Sequence, residues 1–412
     1  MLFVASAAAQ EKGRPPHEQD AMNRGFAVAQ QQQWPLAIKY FRSAQQIVPD
    51  DAAVLFNLAL ATDKAGGREL AALAWYNAFL ASTPDAKNAP QVRKRTTELD
   101  IAAEAQVQKL IETAVQAAAQ LPAGQDSTQA HARIARAQAE AGDLPGAARS
   151  LVRVAQPSAR AWPTAVVAAE QARAGRIDIA RSMINDVGTG RAKAWAQAEL
   201  AVAMAKRGDI AGALKLGEAI THPSEKSWAL SRVVSLQARA GDIAGALVNV
   251  EKIGKSDDVS VAMVMAVAAG AAAKMGPQWT GKEPAALLAE AEAALGSMGD
   301  SPMKFDVLPH IVRARAEIGY VEESERMALS LPDGPGRYMA LKAFAQVRGN
   351  IAGAETYRWT ALAIEAEQAL GAGDVGALAQ AAQFQSPAAS AIAIAAAVEA
   401  RARLLRRYRQ PE

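Results

Sequence analysis

The sequence contains no cysteine and only four histidines in 412 residues. The absence of cysteine excludes disulfide bonds, thiolate metal sites and the lipid-modified cysteine of a lipoprotein. The histidines are far apart, and none has a second ligand-type residue at the helical spacing that would hold a metal ion. They are His17, His131, His222 and His310. We therefore expect neither a metal site nor a cofactor.

Aromatic residues are also scarce, at 5% of the chain, although 50% of the residues are hydrophobic. Alanine is the most frequent residue, and it is both the best helix former and small enough to let helices approach closely. Alternating runs of Val, Ile, Thr and Tyr, which would indicate strands, are nearly absent. We therefore predict an all-α fold.

The net charge is small, because 45 Lys and Arg residues face 42 Asp and Glu residues, which gives +3. Such a balance gives no reason to expect a nucleic-acid partner. The excess is concentrated near the C-terminus, at Arg401, Arg403, Arg406, Arg407 and Arg409. Two explanations remain open. The arginines contact an anionic surface or another protein, or they lie in a solvated last helix whose C-terminal dipole favours cations.

Long hydrophobic runs are few. Residues 1–9 resemble the last part of a secretory signal, with a short apolar run and an Ala-x-Ala arrangement near Ala7 and Ala9. The basic residues that normally come first are missing, so the segment is either a signal remnant or merely an apolar leader. We expect export to a periplasm-like compartment.

A second apolar run, residues 259–273, is short for a membrane span, and we expect no spanning helix.

A repeat of 33 residues is the main feature present, and it runs from about Gln129 to Lys255. Glycines, tryptophans and alanines recur at this step, namely Gly142, Gly175, Gly208 and Gly241; Trp162, Trp195 and Trp228; and Ala147, Ala180, Ala213 and Ala246. A fixed period of this length predicts stacked helical hairpins that bury their apolar faces against each other. We expect each glycine to end a first helix in a left-handed conformation. Asp143, Asp209 and Asp242 then cap the second helices.

Two further units occupy residues 18–85. Small and aromatic residues followed by a proline recur at Gly25, Ala37, Phe41, Ala44 and Pro49, and then at Ala59, Gly66, Ala71, Trp75, Ala78 and Pro84. This pattern resembles the tetratricopeptide (TPR) repeat. Residues 129–385 resemble it more weakly, since their period is 33 residues where the family has about 34. The resemblance implies a TPR-like superhelical solenoid whose groove holds a protein or peptide partner.

The chain is expected to divide into three parts. Residues 1–9 form the signal remnant, and residues 10–122 form an N-terminal TPR module that ends in a long helix. Residues 123–409 form the array of hairpins, closed by a C-terminal capping helix.

Catalytic motifs are incomplete. The segment from Gly276 to Glu283 approaches a phosphate-binding loop, but Glu283 replaces the Ser or Thr that would bind magnesium, and the segment follows a helix rather than a strand. Ser301 and Lys304 have the Ser-x-x-Lys spacing without its companion motifs. We therefore expect no enzyme activity.

Two groups of residues are candidates for binding. Trp195, Trp228 and Met204 belong to the repeat, where the tryptophans either pack between hairpins or form an aromatic row open to a peptide or apolar ligand. The second group is Met263, Met265 and Trp279.

The second group surrounds a helix that has no polar face, residues 259–273, whereas an outer helix should have one. Either the segment between Gly276 and Gly319 covers this helix, or Met263, Met265 and Trp279 wall a pocket. These alternatives lead to two functions. The chain is a scaffold for a protein or peptide partner, or it carries a lipid or sterol in the cell envelope.

Overall fold

The structure, a computed structural model, describes residues 15–254, 257–299, 301–370 and 386–409. This part of the chain is almost entirely helical and contains no strand. The predicted all-α fold is confirmed. The predicted signal segment, residues 1–9, lies outside the described residues.

Twenty α-helices are found in the described part, numbered here in chain order. The first ten are α1 (Pro16–Gln30), α2 (Trp34–Ile47), α3 (Ala52–Ala65), α4 (Glu69–Ser82), α5 (Ala89–Ala119), α6 (Gln125–Glu140), α7 (Leu144–Val152), α8 (Pro157–Arg173), α9 (Ile177–Asp186) and α10 (Arg191–Lys206). The others are α11 (Ile210–Glu218), α12 (Pro223–Arg239), α13 (Ile243–Val250), α14 (Asp258–Met275), α15 (Pro284–Ser297), α16 (Lys304–Ile318), α17 (Val321–Ser330), α18 (Pro335–Val347), α19 (Ile351–Leu370) and α20 (Pro387–Arg409).

The chain forms two compact units, and neither is continuous in sequence. Among the described residues, unit 1 comprises 15–109, 328–370 and 403–409. Unit 2 comprises the described residues of 110–327 together with 386–402. The boundaries fall inside α5, α17 and α20.

In unit 1, helices α1 to α4 pack each on the next, and α4 also packs against α19, which pairs with α18. Phe41 and Trp75, at the aromatic positions of the two N-terminal repeats, are fully buried. Gly25 lies against Phe41, and a Cβ atom there would come within 2.4 Å of the phenylalanine ring. Close contact between α1 and α2 therefore requires a residue without a side chain at this crossing.

Hydrogen bonds join the separate segments of unit 1. The indole Nε1 of Trp75 donates to Glu367 Oε1 at 2.8 Å, and the Tyr408 hydroxyl donates to the carbonyl oxygen of Leu70 at 2.8 Å. Because Trp75, Tyr408 and Leu70 are buried, the bonds also satisfy polar atoms that would otherwise be costly to remove from water.

In unit 2, the repeat forms four consecutive hairpins, α6/α7, α8/α9, α10/α11 and α12/α13. The predicted turn glycines have left-handed φ angles of 83°, 82°, 92° and 100°. The predicted caps are also present, because Asp143, Asp209 and Asp242 accept hydrogen bonds from backbone N–H groups at 2.8, 2.8 and 2.9 Å. The repeat alanines Ala147, Ala180, Ala213 and Ala246 are fully buried.

The apolar helix α14 is covered by its neighbours in unit 2. It packs against α12 and α13 on one side and against α15 and α16, which follow it, on the other. Within the described residues, one stretch is long and apolar enough to cross a membrane, Asp258–Gln278, with a mean hydropathy of 1.6. Its contacts with α15 and α16 match the expectation that the segment after Gly276 covers this helix.

Candidate functional site

The first helices of the hairpins form a continuous layer in unit 2. Each of α6, α8, α10, α12 and α14 packs against the next one in this series. Residues that are 33 positions apart therefore occupy equivalent places on adjacent helices and form rows across the layer.

One such row, the tryptophan row, consists of Trp162, Trp195 and Trp228. The rings of Trp162 and Trp195 are adjacent, with centroids 6.0 Å apart and planes inclined by 49°. Trp162 is 41% exposed and Trp228 is 37% exposed, whereas Trp195 is half-buried and packs against a buried cluster that includes Val166 and Val167. The row thus contributes to packing, as one explanation expected, and also presents aromatic surface to solvent.

Carboxylates surround a cation on the part of the layer formed by α6, α8 and α10. Arg173 Nη2 lies 2.7 Å from Glu199 Oε2, and Arg173 also forms an ion pair with Glu170. Burial alone would lower the pKa of Arg173, but the carboxylates of Glu199, Glu170 and Glu140 outweigh it and raise the pKa. This part of the layer has its charges paired.

On helices α12 and α16, in contrast, positively charged side chains outnumber the nearby carboxylates. Arg239 Nη2 lies 3.4 Å from Nδ1 of His310, and Arg232 and Arg313 are close enough to act on the same imidazole. Burial, followed by the charges of Arg239, Arg232 and Arg313, lowers the pKa of His310 to about 3. His310 is therefore neutral at pH 7, and its Nδ1 accepts the hydrogen bond from Arg239. We call Arg232, Arg239, Arg313 and His310 the arginine cluster.

The arginine cluster has an excess of positive charge. Glu317 is the nearby carboxylate, and it lies 2.9 Å from Lys274 Nζ and 4.0 Å from Arg313 Nη1. Among the described residues, no carboxylate lies within 4 Å of Arg232 or Arg239. Burial, Arg313 and Arg232 lower the pKa of Arg239, whose residue is nevertheless exposed on the surface of α12.

The arginine cluster and the tryptophan row are contiguous. The guanidinium carbon of Arg232 lies 5.9 Å from the centroid of the Trp228 ring, one turn along α12. A ligand on this face would therefore meet aromatic rings and guanidinium groups side by side.

The other sequence-predicted residues lie in apolar clusters. Met204 is 6% exposed and packs with Leu200 and Ala213. Met263, Met265 and Trp279 do come together, but α15 and α16 fill the space beside them with apolar side chains, including Leu287, Leu288 and Ile311. Most described contacts of these four residues are packing contacts, and the Trp279 indole Nε1 also donates to the carbonyl oxygen of Lys282 at 2.8 Å.

Two of the C-terminal arginines are engaged within unit 1. Arg407 forms an ion pair with Glu365, and Arg409 lies 3.0 Å from both Asp100 and Glu104. These arginines contribute to the packing of α20 against its neighbours in that unit.

The sequence did not indicate the arginine cluster as a site. Arg232 and Arg239 lie within the repeat, but His310 and Arg313 follow the point where the 33-residue step is lost, so no pattern placed them beside α12. Within the described ranges, no group of three His, Asp or Glu side chains is arranged to hold a metal ion. No family model, no curated protein and no solved structure matches this chain.

Proposed function

We propose that the chain is a non-enzymatic binding scaffold of the cell envelope, a TPR-like solenoid whose first-helix layer binds a protein or peptide segment. The observation that carries this proposal is the contiguity of the exposed tryptophan row with the arginine cluster. Tryptophan and arginine are the residues most enriched among those that dominate binding energy at protein interfaces.

The two features define the chemistry of the partner. Apolar side chains of the partner pack on the rings of Trp162 and Trp195, which already stand together in a fixed arrangement. Carboxylates of the partner are bound by Arg232 and Arg239, because guanidinium groups donate two parallel hydrogen bonds to a carboxylate. The preferred partner is therefore a segment in which acidic and apolar residues alternate.

We prefer the scaffold to the lipid carrier because of the packing of α14. Met263 is 6% exposed and lies in a cluster that Leu287 and Ile311 already occupy. A lipid at that place would have to displace these side chains.

Site-specific crosslinking in the native host tests the scaffold. A photoreactive amino acid at Ser224, an exposed residue one turn before Trp228, should form a covalent adduct with the partner. The same amino acid at Ile351, a 79% exposed residue of unit 1, is the control. The partner is then purified, and its affinity for variants is measured by calorimetry.

We expect Trp228→Ala and Arg232→Gln each to weaken binding by about thirtyfold, which corresponds to roughly 2 kcal/mol for a dominant interface residue. Ile351→Ala should leave the affinity unchanged. Adducts that form equally from both positions, or variants that bind like the wild type, would contradict the proposal.

A further inference from the structure

Unit 2 contains a cavity that is separate from the tryptophan row. It lies where the end of α5 meets α6 and α7, and its volume is about 530 Å³. Sites for small ligands usually have volumes of about 300–1,000 Å³. One wall is apolar and includes Val115, Ala118 and Leu121. The other lining residues include polar and charged side chains.

A hydroxyl group lines this cavity without a hydrogen-bond partner among the described residues. Thr128 lines the cavity and is only 3% exposed, yet its side chain makes no hydrogen bond with any described residue. Its neighbours in the wall are satisfied, because the Ser150 hydroxyl donates to Gln138 Oε1 at 2.6 Å. The hydroxyl oxygen itself is not fully buried, so it can bond to a molecule that enters the cavity.

Two arginines give the polar wall a positive charge. Arg149 and Arg153 line the cavity, and no carboxylate of a described residue lies within 4 Å of either guanidinium group. Asp143 is near, but one carboxylate oxygen caps α7 through the N–H of Gly146 and the other accepts from Gln138. Burial and the charge of Arg153 lower the pKa of His131, which is therefore neutral at pH 7 and can donate or accept a hydrogen bond.

We propose that this cavity binds a small amphiphilic anion, with its headgroup at Arg149 and Arg153 and its apolar chain against Val115, Ala118 and Leu121. The Thr128 hydroxyl donates a hydrogen bond to the headgroup. A carboxylate and a phosphate ester share the required chemistry, since each offers anionic oxygens to guanidinium groups. This site is independent of the peptide-binding surface proposed above.

Calorimetric titration of the full chain tests the site. The probes are decanoate and decyl phosphate, which have both a charge and a chain; decanol, which lacks the charge; and inorganic phosphate, which lacks the chain. We expect saturable binding of decanoate or decyl phosphate at one site, and the tighter of the two identifies the headgroup. Decanol and inorganic phosphate should bind at least about tenfold more weakly. Decanol has no charge for the arginines to bind, and inorganic phosphate has no chain to contact the apolar residues.

Three variants locate the binding. Arg149→Gln and Arg153→Gln should each weaken binding by about tenfold or more, and Thr128→Val, which keeps the shape but lacks the hydroxyl, should weaken it several-fold without destabilising the unliganded chain. Arg181→Gln, at an exposed arginine of unit 2 outside the cavity, is the control and should bind normally. The proposal is overturned if neither amphiphilic anion binds, if decanol or phosphate binds as tightly, or if the cavity variants match the control.

Discussion

His310 is an uncharged residue among cations, and its neutrality is a condition of the folded state. Arg232, Arg239 and Arg313 would repel an imidazolium at this place, and the surrounding protein would not solvate it. The imidazole instead accepts a hydrogen bond from Arg239, which fixes one guanidinium of the arginine cluster. A single neutral side chain therefore helps to hold together groups that would otherwise repel each other.

This neutrality predicts a dependence of stability on pH. The pKa of His310 is lowered from 6.5 to about 3 in the folded state. Between these values the unfolded chain binds a proton that the folded chain does not, so the free energy of unfolding falls as the pH decreases below about 6.5. His310→Gln should reduce this fall, as measured by urea denaturation at pH values inside and above the window.

A second variant, Arg232→Gln, tests whether the neighbouring cations lower the pKa of His310. Removing one nearby cation should raise the pKa of His310 toward 6.5 and reduce the same pH dependence, by less than His310→Gln does. Unchanged pH dependence in both variants would show that the pKa of His310 is the same in the folded and unfolded chain, which would contradict its neutrality in the arginine cluster.

At the scale of elements, the turn between the first and second helix of a hairpin depends on two residues. An aspartate caps the second helix, and a glycine leaves room for the aspartate's carboxylate. In the α10–α11 turn, Asp209 caps α11 by accepting from the N–H of Gly212. A Cβ atom at Gly212 would come within 2.3 Å of a carboxylate oxygen of Asp209. The same spacing of cap and glycine recurs at Asn350 and Gly353, where the N–H group donates to the amide oxygen at 2.8 Å.

A double-mutant cycle should reveal this dependence. Asp209→Ala removes a helix cap and should cost about 1 kcal/mol. Gly212→Ala should also destabilise the chain, because the added methyl group displaces the carboxylate. In the Asp209→Ala background, however, the same change should be neutral or stabilising, since alanine favours the helix and no carboxylate is in its way.

Gly296→Ala is the matched control for this cycle. Gly296 is an exposed glycine of α15, and no atom lies within 4 Å of the place that a methyl group would take, so alanine there should stabilise by roughly 0.5–1 kcal/mol in either background. Additive effects of Asp209→Ala and Gly212→Ala, measured by thermal or urea unfolding, would refute the proposed dependence.

The features that could be predicted from the sequence are those determined within one repeat or between two neighbouring repeats. The turn glycines, the aspartate caps and the alignment of Trp162 with Trp195 each follow from residues about 33 positions apart or closer. The position of α16 could not be predicted in this way, because the 33-residue step is lost after Gly241. Half of the arginine cluster, His310 and Arg313, comes from that helix, so the composition of the candidate surface emerged only from the structure.

At the scale of the whole molecule, unit 1 is completed by segments from the far end of the chain. Trp75 and Glu367, joined by a hydrogen bond, are 292 positions apart, and Tyr338 bonds to Gln45 over 293 positions. No local pattern indicates such pairing. The apolar face of α4 is covered by α19, whose sequence shows no relation to it.

The N-terminal segment should consequently be unstable alone. We expect a fragment of residues 1–109 to melt without cooperativity in circular dichroism, because α4 loses the cover of α19 and Trp75 loses its hydrogen-bond partner. Mixing it with a fragment of residues 328–412 should restore a cooperative transition. A fragment of residues 110–327 is the control and should have no such effect. Cooperative melting of 1–109 by itself would refute the prediction.

The long separation of Trp75 from Glu367 also has a consequence during biosynthesis. Ribosomes add about 5–20 residues per second, so the 292 intervening positions take roughly 15–60 s to translate. Throughout this interval the apolar face of α4 has emerged without α19. During this interval the nascent chain presents the exposed apolar face of α4 to chaperones, so its folding depends on their protection for longer than that of a hairpin closed by the next helix.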